Sequence, residues 1–239
     1  TGTIITYPNI LTAVPNLPTG INNRVQSRAF GFQPDFVNPR TFQTSVTVDQ
    51  SLGKDFSLSV GYVHSSAWNL QRRVDKNLGA PTIDTATGYP RFLAARPNPT
   101  IGIFSINESS AHSNYEALVV SLQRRFARRY QVGVNYTYSD NRDDDSNERN
   151  FSRETVLNPF DLKAEAGPSK QDVRHNFNIN GLVDLGAGFT LSGILITRSG
   201  FPYTAVVGDD IQNDINTDND RAVINGRVVG RNTLRQPKF

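Results

Sequence analysis

Three stretches of this chain alternate apolar and polar residues with a period of two, turn sharply, and alternate again, which commits the chain to antiparallel β-structure. In the first, Phe42, Thr44, Val46, Val48 and Leu52 share one face while Gln43, Ser45, Thr47, Asp49 and Ser51 share the other. After Gly53-Lys54-Asp55 the alternation resumes, with Phe56, Leu58, Val60 and Tyr62 against Ser57, Ser59 and Gly61. The second stretch runs Leu118, Val120, Leu122 and Phe126, then Ala127-Arg128-Arg129, then Tyr130, Val132, Val134, Tyr136 and Tyr138. The third runs Phe177, Ile179, Val183 and Leu185, then Gly186-Ala187-Gly188, then Phe189, Leu191, Gly193 and Leu195. One template, a hairpin with a three-residue turn bracketed by apolar and aromatic residues, accounts for all of them.

Between the hairpins lie long polar segments, roughly 66 to 113, 139 to 173 and 199 to 239, rich in Asp, Asn, Ser, Pro and Arg. Tight turns alternating with loops beyond about 15 residues are unusual in compact domains. Outer-membrane barrels have that alternation, together with strands apolar on one face and aromatic girdles at both strand ends. A soluble β-sandwich is the other architecture with one apolar face per strand. The expected fold is all-β: antiparallel hairpins over 41–65, 114–139 and 174–198 with short turns and long loops, forming a barrel-derived sheet or a small β-barrel. An extended Pro-rich arm is expected over 1–40, and an acidic loop with a C-terminal extension over 199–239.

Composition narrows the function classes. No run approaches the roughly 18 apolar residues of a spanning helix, which leaves spanning strands open. There is no Cys, so disulfides and thiolate metal sites are out, and a net charge of +3 is too small for strong capture of nucleic acid. His64, His112 and His175 are far apart, and no HExxH or GxSxG occurs, so catalysis is not expected. The chain begins at Thr1 without an initiator Met or a signal pattern, which reads as a processed or excised piece of something longer.

An ordered series of short motifs resembles the barrel of Oar-like TonB-dependent outer-membrane receptors. It runs through Phe36-Val37-Asn38-Pro39-Arg40-Thr41-Phe42, Ser59-Val60-Gly61-Tyr62-Val63-His64-Ser65, Asn69-Leu70 and Asp75-Lys76-Asn77. It continues with Ser113-Asn114-Tyr115-Glu116-Ala117-Leu118, Gln123-Arg124-Arg125-Phe126 and Tyr136-Thr137-Tyr138-Ser139. Asp172-Val173-Arg174-His175-Asn176-Phe177, Ser199-Gly200-Phe201-Pro202-Tyr203 and Asn219-Asp220-Arg221 complete it, so that the likeness covers about residues 34 to 239. It implies a piece of a 22-stranded barrel in an outer-membrane protein that takes up or binds bulky substrates, with lipid or the remaining barrel strands as partners. Phe239 is not expected to be the terminal aromatic of an assembly signal, because Arg235-Gln236-Pro237-Lys238 does not alternate.

Six to eight strands cannot close with the curvature of a large barrel, so two bare edges are expected, and bare edges seek strands. The Pro-rich arm around Thr3-Ile4-Ile5-Thr6-Tyr7 could lie along the edge of another copy. An extracellular or cell-surface filament subunit assembled by strand donation is therefore the alternative.

The richest candidate site is acidic. Asp214, Asn216 and Asp218 stand at alternate positions, as in the first half of a calcium loop, with Asp209, Asp210 and Asp220 close by. Asn219 stands where Gly is usual, and the twelfth position is Asn225 instead of Glu. The expectation is a Ca²⁺ site built from these six residues, against a plain solvated loop. The acidic segment from Asp140 to Arg149 reads instead as charge neutralised by its interleaved Arg residues.

Overall fold

The computed structural model describes residues 28–145 and 156–237; most of the N-terminal arm, the middle of the 139–173 loop and Phe239 lie outside them. Seven strands build one sheet: β1 (Arg28–Phe32), β2 (Arg40–Leu52), β3 (Phe56–Asp75), β4 (Ile103–Ala127), β5 (Tyr130–Asp143), β6 (His175–Gly186) and β7 (Phe189–Arg198). β2 to β7 follow one another across the sheet in chain order as an antiparallel meander. β1 pairs in parallel with the loop-side end of β4, from Arg28 opposite Ile103 to Phe32 opposite Asn107. The pair Gly167–Pro168 extends the sheet beside Arg142 and Asp143 at the end of β5. Among the described residues β2 and β7 do not meet, so the sheet is an open sector with two edges.

The register turns the period-two pattern into two continuous faces. One row reads Val48, Val60, Val120, Tyr136, Phe177 and Thr197; the next reads Leu58, Leu122, Val134, Ile179 and Leu195, with the polar Gln50 opposite Leu58 on β2. On the opposite face the matching row is Asp49, Ser59, Ser121, Asn135, Asn178 and Ile196, with Ser121 Oγ donating to Asn135 Oδ1 at 2.8 Å. Six strands thus hold every apolar row in phase, because a slip of one residue would turn a whole strand over. Among the described residues no second sheet covers the apolar face: Val46 and Val48 are 67% and 66% exposed, and Leu191 is 59% exposed. From Tyr130 to Tyr138 this face runs about 26 Å along the strand, or about 20 Å when tilted as barrel strands are. That matches an apolar band of about 25 Å with its aromatic girdles.

Two of the three turns are tighter than the sequence template. Leu52 pairs with Phe56 across the three-residue turn at Gly53, but Ala127 pairs with Tyr130 and Gly186 with Phe189, leaving two-residue turns. Arg128 and Arg129 have φ of 51° and 73°, and Ala187 and Gly188 have 51° and 84°, the pair of positive values that a type I′ turn requires. Positive φ at two consecutive arginines is not what residue type predicts, which is why the template missed it. Arg124, on the apolar face at this turn, is buried and reaches toward the turn. Its Nη1 donates to the carbonyls of Ala127 and Tyr130 at 2.8 Å each, and its guanidinium lies 3.4 Å from the centre of the Tyr130 ring.

β3 and β4 are 20 and 25 residues long, about twice what a membrane crossing needs. Their outer halves occupy the segment read from sequence as the loop 66–113. The alternation fails there for a local reason: the ladder shifts register between Ala67, Leu70 and Arg72, and Asn69 adopts φ of 57°. This bulge changes which residues face inward, and beyond it Leu70, Arg72 and Val74 are buried. Around the outer halves the long loops pack as a cap. Leu78, Tyr89, Phe92, Ile103, Val156 and Leu157 form its apolar centre with Leu70 and Val74, whereas the wall contributes only Ala117 to the buried hydrophobic residues described.

Candidate functional site

The cap is held by buried charge more than by its small apolar centre. Arg72 reaches Asp144 at 2.6 Å, Arg96 reaches Asp75 at 2.9 Å, Arg231 reaches Asp143, Arg221 reaches Glu165, and Arg235 reaches Asp172. Four of these guanidiniums also bind backbone carbonyls: Arg72 that of Asp144, Arg96 those of Asn77, Gly102 and Asp214, Arg231 that of Glu165, and Arg235 those of Asp172 and Gly200. Burying a carboxylate is unfavourable unless it is paired and its lone pairs are filled, and here one arginine does both. The arginines come from distant segments. Asp140, Asp143 and Asp144 are met by Arg174, Arg231 and Arg72, whereas the sequence reading assigned their neutralisation to arginines interleaved in the same loop.

The acidic loop that begins at Gly208 is the hub of this cap. The Phe92 amide donates to the Gln212 carbonyl at 2.8 Å, Asn213 Nδ2 donates to the Phe92 carbonyl at 3.0 Å, and Arg91 donates to the Ile211 carbonyl at 3.1 Å. On its other side Gln212 Nε2 donates to the Leu157 carbonyl and Asn219 Nδ2 to the Val156 carbonyl. A segment this polar is ordered because its own side chains fold it: Asp210 accepts from the amides of Asp214 and Ile215, and Asp214 from the amide of Asn216.

Of the six residues singled out from sequence, the structure brings three together. One oxygen from each of Asp210, Asp214 and Asp220 lies within 4.8 Å of the others. Asn216 and Asp218 turn to each other, the Asp218 amide donating to Asn216 Oδ1 at 3.2 Å, and Asp209 is exposed at the rim. The alternate spacing therefore makes a turn, while the clustered set is spaced four and six residues apart. Tyr89 joins the cluster from the facing loop, its hydroxyl donating to Asp220 Oδ1 at 3.0 Å. Neither Tyr89 nor Gln212 was singled out from the sequence, whereas Asp220 stood in the acidic candidate set and Asn219-Asp220-Arg221 in the resemblance.

Burial, together with the charges of Asp210 and Asp220, pushes the Asp214 carboxyl up to about 6, despite the hydrogen bonds from Asn219 and the Asn216 amide. Asp220 is raised too, again chiefly by burial. A carboxyl that holds its proton more tightly when folded stabilises the fold fully below its ordinary value of 3.8 and loses that contribution as the pH rises through about 6. In buffer free of divalent cations, the cap is expected to lose on the order of 3 kcal/mol across that window from Asp214. Subtracting the melting profile of Asp214→Asn, which cannot titrate, isolates the contribution; a flat difference would refute it.

The three histidines are scattered across the sheet. His64 lies 3.6 Å from Glu116, His112 3.3 Å from Asp144, and His175 contacts the Tyr136 hydroxyl at 2.8 Å.

A family model described as an outer membrane beta barrel domain matches residues 1–238. No curated protein sequence matches the chain. Among solved structures, the outer membrane transporter YddB from Escherichia coli is similar at a TM-score of 0.50 and 9% identity, over 75% of this chain and 23% of the transporter. The chain spans less than a quarter of that transporter's length, and the likeness concerns the fold.

Proposed function

Because the chain belongs to the outer membrane beta barrel domain family, we propose that it forms the cap-bearing sector of an Oar-like TonB-dependent receptor, serving uptake or binding without catalysis. It is an outer-membrane protein. The observation that carries the reading is the open six-strand meander, apolar on one face and polar on the other, with two edges unpaired among the described residues. A sector of this kind needs further strands on both sides, which a large barrel supplies. The ordered motifs from Phe36 to Arg221 support the receptor type. The apolar face then meets lipid, the Ser- and Asn-rich face lines the lumen, the tight turns lie at the periplasm, and the cap stands outside the cell.

The absence of Cys makes the test direct. A single Cys placed at Asp209 in the cap is expected to react with a membrane-impermeant maleimide on intact cells. One placed at Lys54 in the first turn should react only after the outer membrane is permeabilised, and the reverse order would overturn the orientation. For the receptor type, the complete receptor that carries this sector, in detergent, should be retained by the immobilised periplasmic domain of TonB; no retention would leave a barrel of another kind. Regular fibres of the native material in negative stain would replace both readings with a strand-donating filament subunit.

A further inference from the structure

We propose that the cap holds a structural calcium ion, bound by Asp210, Asp214 and Asp220 with the side chain of Asn219 beside them. This goes beyond the receptor reading and stands on the cap alone, whatever the barrel transports.

Charge balance comes first. Five of the cap's other acids, Asp75, Asp143, Asp144, Glu165 and Asp172, each have an arginine partner. The Asp210–Asp214–Asp220 trio has none among the described residues; its donors are backbone amides, the Asn219 amide and the Tyr89 hydroxyl. Three carboxylates within 4.8 Å of one another, two of them buried, need a positive charge, and among the described residues no cationic side chain pairs with them, Arg96 binding the Asp214 backbone carbonyl instead.

The second observation concerns polar atoms outside that charge count. Asp220 Oδ2, Asn219 Oδ1 and Gln212 Oε1 are fully buried and accept no hydrogen bond, and these residues are 0%, 3% and 0% exposed. Their orientation is fixed, because Asn219 Nδ2 donates to Asp214 Oδ2 at 2.8 Å and to the Val156 carbonyl, and Gln212 Nε2 donates to the Leu157 carbonyl. Flipping either amide would set oxygen against oxygen. The Asn219 contact sets its side-chain amide beside Asp214, and the Gln212 backbone N–H donates to Asp220 Oδ1 at 2.9 Å. All three orphans are oxygens, and buried oxygens without donors are what a cation satisfies.

Carboxylate and carboxamide oxygens on a loop, with no His or Cys, suit a hard cation. An irregular set from a flexible backbone suits Ca²⁺ over Mg²⁺, which demands a near-octahedral shell.

Tyr89 supplies a readout, since its hydroxyl touches Asp220. Tb³⁺ added to the chelator-treated full chain in detergent should give tyrosine-sensitised emission. Ca²⁺ should displace it at far lower concentration than Mg²⁺, and Tyr89→Phe should remove most of the emission while Ca²⁺ still raises the melting temperature. Asp214→Asn and Asp220→Asn should weaken Ca²⁺ by at least roughly 10-fold. In chelator, Asp214→Asn should melt at or above the parent, because it removes an unbalanced charge, so its lost calcium response cannot be put down to misfolding. Emission that Ca²⁺ does not displace, a calcium response that survives in both Asn variants, or an Asp214→Asn variant that melts below the parent in chelator would each overturn the site.

Discussion

Replacing Arg221 by Met is expected to cost about 3–5 kcal/mol, the usual consequence of stranding one half of a buried ion pair. Arg221 and Glu165 are 4% and 2% exposed, and Glu165 Oε1 also accepts the Leu157 amide at 3.0 Å. The variant therefore leaves a carboxylate with nowhere to go, at the point where the 3₁₀ turn Leu162–Glu165, the acidic loop and residue 157 meet. Adding Glu165→Gln should recover most of the loss, because the amide oxygen still serves the Leu157 amide while the stranded charge is gone. Limited proteolysis beside thermal melting will place the damage. The cap should become cleavable while the wall keeps its resistance, and an Arg221→Met variant within 1 kcal/mol of the parent would mean that the cap does not depend on this pair.

The second large effect separates the two faces of the wall at adjacent residues. Val134 lies in the apolar row between Leu122 and Ile179, and Asn135 lies in the polar row between Ser121 and Asn178. Val134→Arg is expected to cost about 2–4 kcal/mol in folding titrations into lipid vesicles, because it sets a guanidinium at the middle of the apolar band. Asn135→Arg should cost close to nothing, since a barrel lumen is wet. Equal costs would argue that both faces are packed, as in a sandwich, and a reversed order would turn the sheet inside out.

The wall was legible in the sequence because its physics is local. A strand between lipid and water shows its environment at every second residue, and Val46 to Leu195 follow that rule through six strands. The cap was not legible, for two reasons. At Asn69 the ladder slips, so that Leu70, Arg72 and Val74 lose phase with the strand below and look like loop. Farther out, structure rests on pairs such as Arg231 with Asp143 and Arg235 with Asp172, 88 and 63 residues apart, which no short-range pattern encodes. The acidic loop shows the same limit at small scale. Spacing suggested Asp214, Asn216 and Asp218, but a chain that turns back on itself gathers Asp210, Asp214 and Asp220.

The slip at Asn69 also bears on how such a protein can change. Below it, β3 answers to the membrane, and a single inserted residue would send a whole row of side chains to the wrong solvent. Above it, the same strand answers only to the cap, and the bulge has already absorbed one break in phase. The two halves are therefore separate modules on one backbone. A cap of different shape could be spliced onto β3 and β4 at this point while the wall kept its register, which makes the bulge a seam for recombination as well as a bend in a strand.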